Sequence, residues 1–323
     1  MTPMKTLLVG FFGEGNLGDE AMLSGICRVA PDTSHFVVTS GSHPLPVKIP
    51  TIKRRGLNGW LDFLRVLPKT RRMVLLGGIL QDWSIEGVTF YALRIMAARC
   101  LNIEISLWGA GLGPLRRMSA RSFAGRALKK VDSAWLRDLD SQRLFLELTG
   151  RSAHLGADWS WAIPAPSRGK PDNSDSIGIN LRPWFHEGWK NSAEERFRNL
   201  ADRQRAVAIA ARSEDLRLLK SSFPGIDLRS PADFTELLEC CSTLSEGWAM
   251  RYHVVLAMLR TGIPVVPLPY DEKVRSLCRE AGIEAASIMP ATTMPRVSSA
   301  GFLPMLTGRF EAMKKAFLGT ADN

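Results

Sequence analysis

No stretch of this 323-residue chain stays apolar for the about 18 residues that a membrane-spanning helix needs. Its longest apolar runs, residues 73–80 and 263–269, have the length of strands. The opening MTPMKTLLVGFFGEG carries one lysine ahead of an apolar stretch. That stretch stops at Phe12, and GEGNLGDE follows where a small-residue cleavage site would stand, so it reads as a buried first strand. A disulfide framework is also missing: the five cysteines (Cys27, Cys100, Cys240, Cys241, Cys278) are odd in number and show no Cys-x-x-Cys spacing. They read as small buried hydrophobes in a reducing compartment. The five histidines are scattered without His-x-His or His-Glu-x-x-His spacing, so no metal and no metal cofactor is expected. A Gly-x-Ser-x-Gly elbow and a phosphate-binding Gly-x4-Gly-Lys-Ser/Thr loop are absent as well. The 27 glycines and 19 prolines follow no period, which excludes a fibrous repeat. The expectation is a soluble, cytoplasmic protein.

What is present is ordinary globular composition, 45% hydrophobic and 23% charged, over a length that suits about two domains. Lys and Arg number 42 against 32 Asp and Glu, a net +10 that favours an anionic partner: nucleic acid, an acidic membrane face or a phosphorylated small molecule. The basic segments at residues 53–55, 69–72 and 116–117 have few interleaved aromatics, so the stacking platform of a single-strand binder is missing and no nucleic-acid partner is expected. They read as solvated surface, with peripheral docking to an anionic membrane as the more specific alternative.

Short apolar runs alternate with helical patterns from the start. Strands are predicted at 6–12, 35–39, 72–76, 104–108, 133–136 and 153–155, and helices at 19–29, 85–100 and 120–130. The stretch PAPSRGKPDNSD then breaks the pattern as a linker. A second series follows, with strands at 177–181, 206–210 and 263–268 and helices at 194–203, 214–220, 232–240 and 249–259. Met305, Leu306, Phe310, Met313 and Phe317 close the chain with a stripe of helical spacing. Continuous apolar strands alternating with helices predict an α/β chain of two doubly wound, Rossmann-like domains facing across a cleft. Their bounds are 1–163 (glycine-rich), a linker at 164–175, 176–300, and a helix at 301–323 that could pack back on the first domain.

In such sheets ligands bind beyond the carboxyl ends of the strands, so those ends carry the functional candidates. The first strand runs into Gly13-Glu-Gly15-Asn16-Leu-Gly18-Asp19-Glu20, a Gly-x-Gly-x-x-Gly turn before a helix. A nicotinamide site also needs an acid at the end of the second strand. That strand ends Thr39-Ser40-Gly41-Ser42, which argues against such a cofactor and leaves a tight turn with Asp19 and Glu20 favouring the helix start as the plain reading. Gly77-Gly78 and Gly109-Ala110-Gly111 end two further strands, so Gly13, Asn16, Gly18, Asp19, Gly77, Gly78 and Gly111 outline a backbone-lined crevice. Arg137 follows another strand; its plain reading is a surface pair with Asp138 or Asp140, two acids that could alternatively hold a divalent ion. In the second half Arg251 and His253 fall in the first turns of an apolar helix, and Lys273 stands just past the strand 263–268. A lone histidine there is ordinarily a capping or solvated residue; beside Arg251 and Lys273 it points to an anion site.

GFFGEGNLGDEAML, LLGGILQD, LWGAGLGPL, LRDLDS, HLGADWSW, AMRYH and VVPLPYDEKV, in that order, resemble the landmarks of the polysaccharide pyruvyl transferase family from about residue 6 to about 275. The resemblance implies a fold like the two-domain GT-B glycosyltransferases. It further implies transfer of the enolpyruvyl unit of phosphoenolpyruvate to a sugar of a surface polysaccharide or its lipid-linked precursor, forming a pyruvate ketal and releasing phosphate. By the same resemblance His253 is the catalytic histidine, Arg251 and Lys273 bind phosphoenolpyruvate, and Arg137 matches a further arginine of the donor pocket. Phosphoenolpyruvate is then a donor substrate and no cofactor is implied. The alternatives are a GT-B-like glycosyltransferase using a nucleotide sugar and a non-catalytic binding or scaffold member of the fold.

Overall fold

A computed structural model describes residues 5–32, 35–167, 176–183, 198, 206–268, 271–282 and 301–321. The chain divides into two compact units, Met1–Ala162 with Leu306–Asn323, and Ile163–Met305.

The first unit runs β1 (Lys5–Phe12), α1 (Leu17–Val29), β2 (Phe36–Ser40), β3 (Thr51–Lys53), α2 (Gly56–Val66), β4 (Thr70–Leu75), β5 (Gly78–Ile79), α3 (Ile85–Cys100), β6 (Glu104–Leu112), α4 (Met118–Leu128), β7 (Ser133–Leu136), α5 (Leu139–Thr149) and β8 (His154–Leu155). All strands pair in parallel in the order β3-β2-β1-β4-β6-β7-β8, with β5 on β6. The chain therefore winds outward from β1 in one direction, then crosses back to build the other half from β4. That reversal puts the switch point, where a crevice opens, between the carboxyl ends of β1 and β4. Both sheet faces are covered: Leu7, Leu8, Met73, Val74, Ile105 and Leu107 are wholly buried.

Local chemistry fixes the helix starts. Ser84 caps α3 through Gly87 N at 3.2 Å, and Asp138 caps α5 through Ser141 N at 2.8 Å. Asp140 lies 3.8 Å from Arg143 of the same helix.

The second unit runs β9 (Ile177–Asn180), β10 (Ala206–Ile209), α6 (Ser213–Ser222), β11 (Asp227–Arg229), α7 (Phe234–Ser242), β12 (Glu246–Ala249), α8 (Tyr252–Arg260), β13 (Val265–Pro267) and α9 (Glu272–Glu280). Its parallel sheet has the order β11-β10-β9-β12-β13. The last helix, α10 (Phe302–Ala321), returns to the first unit from Leu306 onward. There Phe310 and Phe317 meet Trp159 edge-on at 5.8 and 5.1 Å, Phe317 also meets Trp108 at 5.2 Å, and Met313 packs on the bare face of Gly156.

Several elements differ from expectation. The predicted helix 249–259 begins at Tyr252; Ala249 closes the strand β12, whose four buried residues run almost directly into the helix. The strand from Glu104 does not stop at Trp108 but continues to Leu112, because Gly109, at φ 66°, bulges and lets the ladder to β7 resume. Arg54 and Arg72, read as solvated surface, are buried: aromatic rings cover them, and Phe317 lies 4.9 Å under Arg72. Cys27, Cys241 and Cys278 are buried as expected, and burial pushes Cys27 and Cys278 up to about 12; Cys100 is exposed. The predicted helix 194–203 except Arg198, the linker residues 168–175, His186 and Tyr270 lie outside the described residues.

Candidate functional site

In the second unit the carboxyl edge of the sheet is organised by Asn180, the last residue of β9. Its side-chain amide donates to Ile209 O at 2.9 Å, its carbonyl accepts from Met250 N at 3.1 Å, and its Oδ1 accepts from Arg251 N at 3.0 Å. Three strand ends are thus tied together, and Arg251 is fixed as the N-cap of α8. The Arg251 guanidinium grips Asp215 of α6 with two bonds, Nε to Oδ2 and Nη2 to Oδ1, both 2.6 Å, while Nη2 also reaches Glu214 Oε1 at 2.5 Å. Arg182 and Arg212 approach the same Glu214 oxygen at 3.9 and 3.6 Å. Three guanidiniums, each just beyond the end of one of the neighbouring strands β9, β10 and β12, therefore share two carboxylates. Burial acts to raise Glu214, but the hydrogen bond and charge of Arg251, with Arg212 and Arg182, hold it below its usual range. Burial pushes Asp215 up against the pull of Arg251.

His253 is the second residue of α8, half-buried, with its ring edge-on to Tyr252 at 5.0 Å and to Phe234 at 6.3 Å. Lys273 is the second residue of α9, whose N-cap Asp271 accepts from Val274 N at 3.2 Å. Since β12 and β13 are paired neighbours and α8 packs on α9, His253 and Lys273 begin adjacent helices at one sheet edge.

Arg137, in the first unit, is buried rather than a surface residue. Its Nη1 bonds Asp158 Oδ2 at 3.0 Å, and its Nε lies 3.6 Å from Asp138 Oδ2. The site is possible because position 111 is glycine: a Cβ there would meet Arg137 Nε at 2.6 Å.

The glycine strand ends satisfy one another. Gly111 N donates to Gly77 O at 2.9 Å, and Gly78 and Ile79 pair with Gly111 and Leu112 as the short strand β5. The turn after β1 is filled from α1: Gly13, at φ 65°, donates its amide to Glu20 Oε1 at 2.7 Å, and the Asn16 side chain donates to Asp19. Gly18 is buried in the first turn of α1. The second Glu20 oxygen is buried with no hydrogen-bond partner, and burial, with help from Asp19 and Glu14, raises its carboxyl to about 7. Two acids, Asp19 and Glu20, thus stand at the turn after β1 among the residues anticipated from Gly13 to Gly111.

The polysaccharide pyruvyl transferase family matches residues 16–272. The chain belongs to this family. The match takes in Arg137, Arg251 and His253 and ends beside Lys273. No curated protein matches the chain. Among solved structures, Anabaena HepE in complex with UDP and glucose superposes with a TM-score of 0.57 at 13% identity over 99% of this chain and 100% of that one. The UDP-GlcNAc 2-epimerases of Methanocaldococcus jannaschii (0.57, 12%, 94% and 99%) and of Neisseria meningitidis bound to UDP-GlcNAc (0.57, 15%, 86% and 86%) are similar in the same way. At these identities the likeness is one of fold, the GT-B-like pair of Rossmann-like sheets.

Sequence reasoning overlooked Arg182, Arg212, Glu214 and Asp215 around Arg251, Asp158 beside Arg137, and Glu20 beside Gly13. The signal for the arginines was available: each follows an apolar strand by a few residues, as Arg251 does. For Asp158 it lay in the HLGADWSW landmark itself.

Proposed function

We propose that this family member transfers the enolpyruvyl group of phosphoenolpyruvate to two hydroxyls of a sugar, in a surface polysaccharide or its lipid-linked precursor on the cytoplasmic side of the membrane. The observation that carries the reading is the placement of Arg251, His253 and Lys273 at the starts of two adjacent helices on one sheet edge. Helix N-termini and planar guanidiniums together suit a small trianion with carboxylate and phosphate ends.

In this reading Arg251 and Lys273 hold the donor, with Arg137 as their counterpart by family resemblance. Asp215 and Glu214 position Arg251, and Arg182 and Arg212 supply the remaining positive charge of that rim. Protonated His253 gives its proton to the methylene carbon of the donor, leaving a cation at the adjacent carbon. One sugar hydroxyl adds there; the carbon–oxygen bond to phosphate breaks; the second hydroxyl closes the ketal. Of the two hydroxyl protons, one restores His253 and the other leaves with phosphate. General acid catalysis of this kind is worth about 10²–10⁴ in rate.

His253→Ala is expected to lower phosphate release from phosphoenolpyruvate and a sugar acceptor by about 10²–10⁴ with unchanged circular dichroism. Substantial residual turnover removes His253 from the reaction. A second reading, glycosyl transfer from a nucleotide sugar, draws on the UDP-bound structures of similar fold. Calorimetry with phosphoenolpyruvate and with UDP-glucose separates the two.

A further inference from the structure

The first unit has a cationic cavity that the pyruvyl-transfer scheme leaves unused. It lies between α2 and α3, beside the ends of β1 and β5, and has a volume of about 420 Å³, ample for a sugar phosphate. Arg54 and Arg94 line it, each only 5% exposed. Rings, not acids, hold them. The Arg54 guanidinium stands 4.7 Å from the centre of Phe11 and 4.1 Å from Phe90; that of Arg94 stands 3.7 Å from Phe90 and 5.3 Å from Trp60. Their hydrogen bonds go to Gly10 O, Tyr91 Oη, Phe90 O and Arg54 O. The nearest carboxylate among the described residues is Glu14, 3.9 Å from Arg54. Arg94 Nε is buried with no hydrogen-bond partner. Burial, and then the like charge of Arg54, lower Arg94 to about 10. Two buried cations with an unfilled donor are short of an anion.

The rim of this cavity carries a run of exposed apolar side chains, with one carboxylate, Glu86, among the lining residues. On α2, Leu57, Leu61 and Leu64 recur at helical spacing and are exposed, and on α3 so are Ile85 and Leu93, with Leu57 at 74% and Ile85 at 71%. Each is a lining residue or lies within one helical turn of one. Arg55 is exposed at the same rim, and Arg116 lies 4.7 Å over the ring of Trp83. Hydrocarbon outside and guanidinium inside fit a molecule with the opposite arrangement of parts.

We propose that this cavity binds the diphosphate of a lipid-linked sugar, the phosphates meeting Arg54 and Arg94 and the lipid leaving over the leucine ridge of α2. The lipid-linked nature of the acceptor rests on the function proposed above; the anion site rests on the cavity. The rings of Trp60 and Phe90 offer faces for the sugar. A phosphatidylglycerol headgroup presents one phosphate charge, whereas a lipid-linked diphosphate sugar presents a second phosphate and a sugar beyond it, which suit a recess with two guanidiniums and ring faces. No helix among the described residues is long and apolar enough to cross a membrane, so contact of this unit with lipid would be peripheral.

The test is co-sedimentation of the full chain with phosphatidylcholine vesicles that are plain, carry a polyprenyl diphosphate, or carry phosphatidylglycerol. Binding to the diphosphate vesicles is expected to exceed the other two by about tenfold or more, the value of one charge-assisted contact. Inorganic pyrophosphate should compete in the wild type. Leu57→Asp and Arg94→Met should each lower that binding about tenfold, with calorimetric binding of phosphoenolpyruvate unchanged. Equal binding to phosphatidylglycerol vesicles, no competition by pyrophosphate, or full binding by folded Arg94→Met overturns the proposal. Should Arg94→Met not fold, the competition and Leu57→Asp decide. Loss of phosphoenolpyruvate binding and phosphate release with vesicle binding intact would instead remove the pyruvyl-transfer reading and leave the anion site standing.

Discussion

Arg251 in the second unit and Arg94 in the first are both buried, at 8% and 5% exposure, yet their surroundings differ in kind. Arg251 is locked to Asp215 by a two-bond grip and to Glu214 by a third contact. Arg94 has ring faces and carbonyl oxygens instead, and one N–H with nothing to donate to. The same contrast holds for acids. Asp215 has a guanidinium, whereas Glu20 has one oxygen on a backbone amide and the other on nothing, although Asp158 of the same first unit is paired with Arg137. At the second sheet edge the charge of Arg251 is paired and its side chain fixed, as the donor site proposed there would require. At Arg94 and Glu20 the first unit holds charges of both signs short of partners, the condition that the proposed anion site would relieve.

The contrast can be broken most sharply at Asp215. Asp215→Ala leaves a buried guanidinium without its main partner, so urea unfolding should show a loss of about 3–5 kcal/mol. A loss under about 1 kcal/mol would mean that Arg251 does not depend on its acids. Glu20→Gln comes next. The native carboxyl titrates near 7 and an unfolded one near 4.5, so between those values the folded state binds more protons and stability falls as pH rises. Gln keeps the acceptor for Gly13 N and removes the titration. Thermal melts should therefore show the variant gaining about 1–3 kcal/mol over wild type at pH 8 and little at pH 5. Arg94→Met replaces a ring-held cation with an apolar chain of similar reach, and its stability should stay within about 1 kcal/mol of wild type. A loss as large as that of Asp215→Ala would show the two arginines to be equally structural. Smallest is Glu214→Gln, a partly exposed partner, expected to cost about 0–1 kcal/mol and to weaken further with salt.

Much of the architecture was legible because buried parallel strands are written as continuous apolar runs. Residues 85–100 and 133–136 come out at the bounds read from pattern alone. The strand β12 was hidden because EGWA is four residues long and abuts an apolar helix, so the two merge into one hydrophobic stretch. Helix α2 escaped for the opposite reason: its leucines face outward, and an apolar stripe without a partner gives no sign of which side is covered. Arg251, His253 and Lys273 could be picked out from strand ends and motif. Asp215 could not, since an acid in the first turn of a helix looks like ordinary dipole complementation until the guanidinium facing it is seen. Arg54 resembled solvated surface because the rings that bury it, Phe11 and Phe90, are remote from it in sequence.

The helix α10 gives the first unit a late-arriving part. Trp108 and Trp159 wait for Phe310 and Phe317, residues made only after the whole second unit has been threaded out. While the ribosome is still at work, that indole surface has no native cover. The amino-terminal unit thus reaches its final packing only after the whole second unit has been made, and its completion is delayed by the path of the polypeptide.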